Sequence, residues 1–180
     1  KNLRRHKINF VLHCHCNIAD QIGNNHLPNR YLKKLFSLAQ NIFVLNKSSL
    51  DFCNRIGFKN IIIIPNFISE KNILNCHKIE PIVKNVLFVG HIKKTKGIEE
   101  FLYLSKMYPQ ITFHIAGKIT GDFNIKNAIN SVGLKNVKVY NNVEHSKIFE
   151  MLDYSDVFVF PSYTEGFSLA LLEAMSRGIP

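Results

Sequence analysis

The chain has 180 residues, of which 46% are hydrophobic and 20% charged, with no tryptophan and a formal net charge of +10. This balance excludes disorder, collagen and a disulfide-stapled miniprotein, and it fits a little more than one domain of ~100–200 residues. No run of ~18 apolar residues occurs, and the start KNLRRHKINFVLH lacks the long apolar stretch and small-residue cleavage site of a secretory signal.

In chain order, short β-branched runs alternate with longer stretches of helical period. The pattern predicts a strand over 8–13, a helix over 30–40, a strand over 42–45, a helix over 48–56 and a strand over 61–64. Pro65-Asn66 ends that strand, and residues 67–85, which carry Pro81 and no clean period, read as an interdomain connection. Then follow a strand over 86–89, a helix over 98–107, a strand over 111–116 and a helix over 124–132. A strand over 137–140, a helix over 146–154, a strand over 157–160 and a helix over 168–177 complete the series. Gly57 and Gly133 stand where glycines close helices, and Pro109 follows a helix end. Runs such as IIII and VFVF are apolar on both faces, the pattern of parallel strands between helix layers. Repeated βα units give an α/β fold with doubly wound parallel sheets, divided as residues 1–66, a connection over 67–85, and residues 86–180. An opening without methionine and a final SRGIP just past a helical pattern lead us to expect an internal piece of a longer protein.

Residues 1–80 carry 12 Lys and Arg against 4 Asp and Glu, and residues 81–180 carry 11 against 9. A basic first half can meet phosphates, anionic lipid or an acidic substrate, while abundant Asn, Ile and Lys also fit plain compositional bias. The four cysteines, Cys14, Cys16, Cys53 and Cys76, are expected to be reduced thiols. In His13-Cys14-His15-Cys16, strand alternation puts the histidines on one face and the cysteines on the other, so no metal site is expected.

In open α/β sheets ligands gather at the carboxyl ends of the strands. After the strand over 86–89 comes GHIKKTKG, where Gly90 permits a close turn. Lys93, Lys94 and Lys96 supply cations, and a helix opening near Gly97 offers N–H groups to an anion. A solvated basic loop is the plainer alternative. After the strand over 157–160 comes PSYTEGFSLALLEAMSRGIP. Glu165 and Gly166 stand at a helix entrance, with Ser168 as its cap. Glu173 lies in the otherwise apolar SLALLEAM, and a buried carboxylate needs a partner. Arg177 at i+4, solvent, or the hydroxyls of a ligand can each serve. Glu99 and Glu100 read as first-turn helix carboxylates. His13 and His15 end a strand and can donate a hydrogen bond or act as a base near neutral pH.

FVGHIKKTKGIEEFL resembles the strand, G-[RH]-x-x-x-x-K-G loop and helix of family 4 glycosyltransferases (glycosyl transferases group 1). PSYTEGFSLALLEAMSRGIP resembles that family's P-S-x-x-E-G-F-x-x-x-x-x-E-A-M-x-x-G-x-P signature, and IIPNF resembles its VIPNG-type hinge segment. The resemblance implies a GT-B fold of two Rossmann-like domains, here both partial, with an acceptor-side N-terminal domain and a donor-binding C-terminal domain. It implies transfer of a sugar, with retention and without a metal or other cofactor, from a nucleoside-diphosphate-sugar to a glycan or lipid-linked sugar. By the same resemblance, Gly90, His91 and Lys96 meet the donor diphosphate and Val143 lies near the base. Glu165 binds hydroxyls of the donor sugar and takes part in catalysis, and Glu173 binds the ribose. Gly166 belongs to the same donor-binding loop, to which Phe167 and Ser168 contribute backbone N–H groups. LHCH resembles the strand end that places a histidine beside the reacting sugar, and His15 is preferred to His13. His91 replaces an arginine common in the family, and Phe67 replaces the glycine that usually follows Pro-Asn.

The leaving diphosphate builds negative charge, which Lys96 and helix N-termini would stabilise, and it can itself take the acceptor proton. The expected setting is polysaccharide or glycoconjugate synthesis in the cytoplasm, peripherally on an anionic membrane face. The rivals are another GT-B enzyme, such as a nucleotide-sugar epimerase, and a non-catalytic basic binder of nucleic acid or membrane. Nucleic acid is not an expected partner, because aromatics are not interleaved with the basic residues as a base-stacking platform requires.

Overall fold

A computed structural model describes residues 9–15, 18, 29–74, 80–120 and 123–180. The chain divides into two compact units: residues 1–66 with Glu165–Ser168, and Phe67–Thr164 with Leu169–Pro180.

In the first unit, β1 (Val11–Cys14), α1 (Asn29–Leu38), β2 (Asn41–Val44), α2 (Lys47–Arg55) and β3 (Ile61–Ile63) follow one another. The strands form a parallel sheet in the order β1-β2-β3. Its core gathers Cys14, Ile18, Phe36, Ile42, Val44 and Cys53, and the Phe36 ring stacks on Phe58 at 5.0 Å. Alternation along β2 sends Ile42 and Val44 inward. Asn46 starts α2 by accepting the Ser49 N–H on its side-chain oxygen at 2.8 Å. The IIII run is not buried on both faces as its composition predicts: among the described residues β3 lies at the sheet edge, and Ile62 and Ile63 are 45% and 40% exposed. An all-apolar run does not reveal whether a neighbour covers it. Ile8, Cys16 and Cys76 lie outside the described residues.

The second unit opens with a 3-10 turn at Glu70–Asn72, then β4 (Asn85–Val89), a 3-10 turn at Lys94–Lys96, α3 (Ile98–Met107), β5 (Thr112–Ala116) and α4 (Ile125–Val132). β6 (Val137–Tyr140), α5 (His145–Tyr154), β7 (Val157–Phe158) and α6 (Leu169–Ser176) follow. All strand pairs are parallel, in the order β6-β5-β4-β7. The strand predicted over 157–160 is shorter than its apolar run, since only Val157 and Phe158 pair with β4.

Two layers sandwich this sheet, and residue alternation builds both. Val86 and Phe88 of β4 join Phe113 and Ile115 of β5 under Ile98, Phe101 and Leu102 of α3 and Ile125 of α4. Leu87 and Ala116 point the other way, against Ile148 and Leu152 of α5 and Ala174 of α6. Each fully buried Phe or Leu contributes about 1.5–3 kcal/mol. Asp156 accepts the backbone N–H groups of Lys84 and Asn85 at 2.8 and 2.7 Å, tying the start of β4 to that of β7. His114 of β5 bridges the neighbouring strands, with Nε2 3.2 Å from Asn85 Oδ1 and Nδ1 3.2 Å from Tyr140 Oη. Burial, reinforced by the Lys138 cation, pulls its imidazole below the ordinary histidine range. Residues before β4 dock on the end of α6: Leu74 N donates to Ser176 O at 2.8 Å, and Arg177 Nη1 to Asn72 O at 3.0 Å.

Candidate active site

Strand order in the second unit reverses direction at β4: β5 and β6 extend from one side of it and β7 lies on the other. Ligands of open α/β sheets bind outside the carboxyl ends of strands at such a switch point. The loops leaving β4 and β7 are GHIKKTKG and the stretch that opens with PSYT.

These two loops are locked together. Gly97 has φ +71°, and a Cβ there would stand 2.1 Å from Pro161 O, so only glycine fits. Tyr163 N donates to Thr95 O at 3.1 Å. The Tyr163 hydroxyl donates to the Glu100 carboxylate in the first turn of α3. That bond, aided by a backbone N–H, holds the Glu100 carboxyl below the usual carboxylate range and raises the Tyr163 phenol. At the far side of the loop, Gly117 (φ +152°) passes so close to Gly90 that a Cβ would lie 1.9 Å from Gly90 O.

Lys96, half-buried, sits 5.8 Å from the centroid of the Phe160 ring. Lys94 pairs with Glu99 at 3.0 Å, and His91 is exposed. Glu99 and Glu100 are first-turn carboxylates of α3, so the helix N-terminus carries its own negative charge beside the lysines.

Glu173 is buried in α6 at 3% exposure. Arg177 does not pair with it as the i+4 spacing allows. The guanidinium instead grips Asp153 through Nε at 2.6 Å and Nη2 at 2.5 Å. The partner of Glu173 is His145, whose Nε2 lies 2.5 Å from Oε1. His145 is the first residue of α5, just past the carboxyl end of β6, so this contact puts the Glu173 carboxylate on the ligand side of the sheet. Val143, two residues earlier, is half-buried. It also borders a groove of about 400 Å³ beside α5, where Tyr140, Met151 and Tyr154 contribute to the wall. That groove follows the sheet edge rather than the switch point.

Glu165–Ser168 group with the first unit. There the Asn46 side-chain amide donates to Gly166 O, and Asn66 Nδ2 donates to Phe167 O at 2.7 Å. Glu165 and Phe167 are exposed, and Ser168 directly precedes α6. His15 follows β1 and is exposed, with its ring centroid 4.0 Å from that of His13. The two rings thus share a side, as alternation requires, while Cys14 is buried. Among the described residues no group of three or more His, Cys, Asp or Glu is placed to hold a metal ion. Among them, too, no helix is long and apolar enough to cross a membrane.

Sequence reasoning missed His145, Asp153 and Tyr163. Each partners a residue far along the chain, and spacing within one helix cannot reveal such a pair. The one usable signal was the requirement that a carboxylate in an apolar helix find a donor.

The parallel α/β fold is that of GT-B glycosyltransferases. Sucrose-phosphate synthase from Thermosynechococcus elongatus superposes with a TM-score of 0.77 at 19% identity, over 98% of this chain and 51% of that one. S. aureus TarM, solved with fondaparinux, alpha-GlcNAc-glycerol and UDP, gives 0.74 at 21% identity, over 96% of this chain and 36% of that one. HepE from Anabaena, solved with UDP and glucose, gives 0.75 at 18% identity, over 99% of this chain and 53% of that one. The chain thus spans about half or less of the length of these proteins. No curated protein matches it. Residues 62–180 match the family described as Glycosyl transferases group 1, and the chain belongs to that family.

Proposed function

We propose that this chain is part of a glycosyltransferase that moves a sugar from a nucleoside-diphosphate-sugar to a glycan or lipid-linked acceptor, with retention and without a metal. The observation that carries this reading is the buried Glu173 carboxylate on the ligand side of a switch-point sheet, in a chain of this family. TarM and HepE, both solved with UDP, support a nucleotide donor.

In this reading Glu173 accepts hydrogen bonds from ribose hydroxyls, and Val143 lies near the base. Gly90, His91 and Lys96 meet the diphosphate, where Lys96 stabilises the charge that grows as the sugar–phosphate bond breaks. Glu165 binds sugar hydroxyls at the reacting centre, with Gly166, Phe167 and Ser168 in the same loop. His15 stands on the acceptor side. The acceptor proton passes to the departing diphosphate. The basic first half favours an anionic membrane surface on the cytoplasmic side, where lipid-linked acceptors reside.

A thermal-shift screen of the chain against UDP-, GDP- and ADP-sugars tests the reading. One donor should raise the midpoint progressively with concentration, because it binds the folded state. With that donor, Lys96→Ala should lower turnover by about 10²-fold, and Glu165→Ala should lower it as well. No shift with any donor, or wild-type turnover in both variants, would overturn the assignment.

A further inference from the structure

The Glu173 carboxylate is 96% shielded on its side chain, whereas the His145 ring that meets it is 65% exposed. A buried carboxylate accepts hydrogen bonds and donates none, so the 2.5 Å contact requires Nε2 of His145 to carry the proton. This fixes Oε1.

The ring that fixes Oε1 is itself held. Phe149, one turn along α5, meets the His145 ring edge-on at 5.3 Å. The Arg177 guanidinium lies 5.7 Å from the Phe149 ring centroid and is anchored by Asp153 and the Asn72 carbonyl. Packing therefore orients the imidazole, and the imidazole orients one oxygen of the carboxylate. A solvent-exposed ring contributes little to the core, so the contact acts on the carboxylate.

We infer that His145 is a positioning residue for donor binding: it holds Oε1 of Glu173 so that Oε2 receives a ribose hydroxyl of the nucleoside diphosphate. The inference rests on the reading that Glu173 binds ribose. His145 touches no reacting atom, so its loss weakens donor binding and raises KM while leaving kcat with saturating donor nearly unchanged.

Calorimetric titration of the full chain with ADP, GDP and UDP, and with the 2′,3′-dideoxy form of whichever binds, tests it. His145→Ala should weaken the ribonucleotide by about 10-fold or more and remove its advantage over the dideoxy form. His145→Gln, which keeps an N–H donor, should recover most of both. In a Glu173→Gln background, His145→Ala should add nothing, since the two side chains act as one unit. Should His145→Ala fail to fold, His145→Leu keeps an apolar contact with Phe149 and donates nothing, and the same losses are expected. A donorless His145 variant with wild-type affinity and wild-type preference for the ribo form overturns the inference. If Glu173→Gln still abolishes that preference, the ribose reading survives. If Glu173→Gln also leaves it intact, the ribose reading falls too, and if no diphosphate binds, both fall with the donor assignment.

Discussion

Tyr163 ties the loop after β7 to the first turn of α3 through its hydrogen bond to Glu100, and the acid–base behaviour of Glu100 reports it. A carboxyl whose folded-state value is lowered adds stability above its ordinary titration range and loses it as pH falls through the folded value. Tyr163→Phe removes the largest cause of the lowering. In a carbon-detected NMR titration the Glu100 midpoint should move up toward the ordinary carboxylate range, and the part of the acid-side stability loss that belongs to Glu100 should shrink. An unchanged midpoint would mean that the hydroxyl does not engage the carboxylate in solution. At this scale the sequence was legible where chemistry is local. Glu173 stands out in SLALLEAM as a carboxylate among apolar residues, and Lys96 stands out before a helix. The partners were not legible: His145 and Asp153 reach α6 from another helix, and the i+4 geometry that made Arg177 a candidate for Glu173 is real but loses to the bidentate Asp153 contact.

Elements were the most legible level, because their signals are local physics. Short β-branched runs marked the strands, a helical period marked α3, whose bounds of Ile98–Met107 match the reading, and Gly133 closes α4 in the left-handed region at φ +68°. Ends were less legible. Phe160 continues the apolar run of β7 but has left the strand, since pairing with β4 stops at Phe158. Nor does composition show which glycines are indispensable. A Cβ at Gly117 would stand 1.9 Å from the Gly90 carbonyl oxygen, whereas a Cβ at Gly133 would meet nothing within 4 Å. Gly133→Ala should therefore cost only the about 1–2 kcal/mol of a left-handed residue with a side chain. Gly117→Ala must in addition push the Gly90 carbonyl away, so its loss should clearly exceed that of Gly133→Ala. Urea midpoints of the two variants decide the matter, and equal losses would refute the close approach.

On the scale of the whole molecule, each unit carries its own sheet and its own apolar cluster. Stability is then expected to vary by unit rather than uniformly. Phe101→Ala empties a fully buried place in the second unit and should cost about 3–5 kcal/mol. Hydrogen exchange should show the loss in the amides of β4 and β5, with those of β2 nearly unchanged, and equal loss in both sets would show a single cooperative block. Here the sequence read the parallel α/β class correctly, because doubly apolar strands and intervening helices leave few other arrangements. It could not show that Glu165–Ser168 groups with residues more than a hundred positions away, because that depends on the Asn46 and Asn66 amides meeting the Gly166 and Phe167 carbonyls. The docking of Asn72 and Leu74 on the end of α6 has a practical bearing on anyone excising the second unit for separate expression. A truncation that begins at Lys84 would strip Arg177 of the Asn72 carbonyl and Ser176 of the Leu74 amide, fraying the helix that bears Glu173. The cut belongs ahead of Phe67.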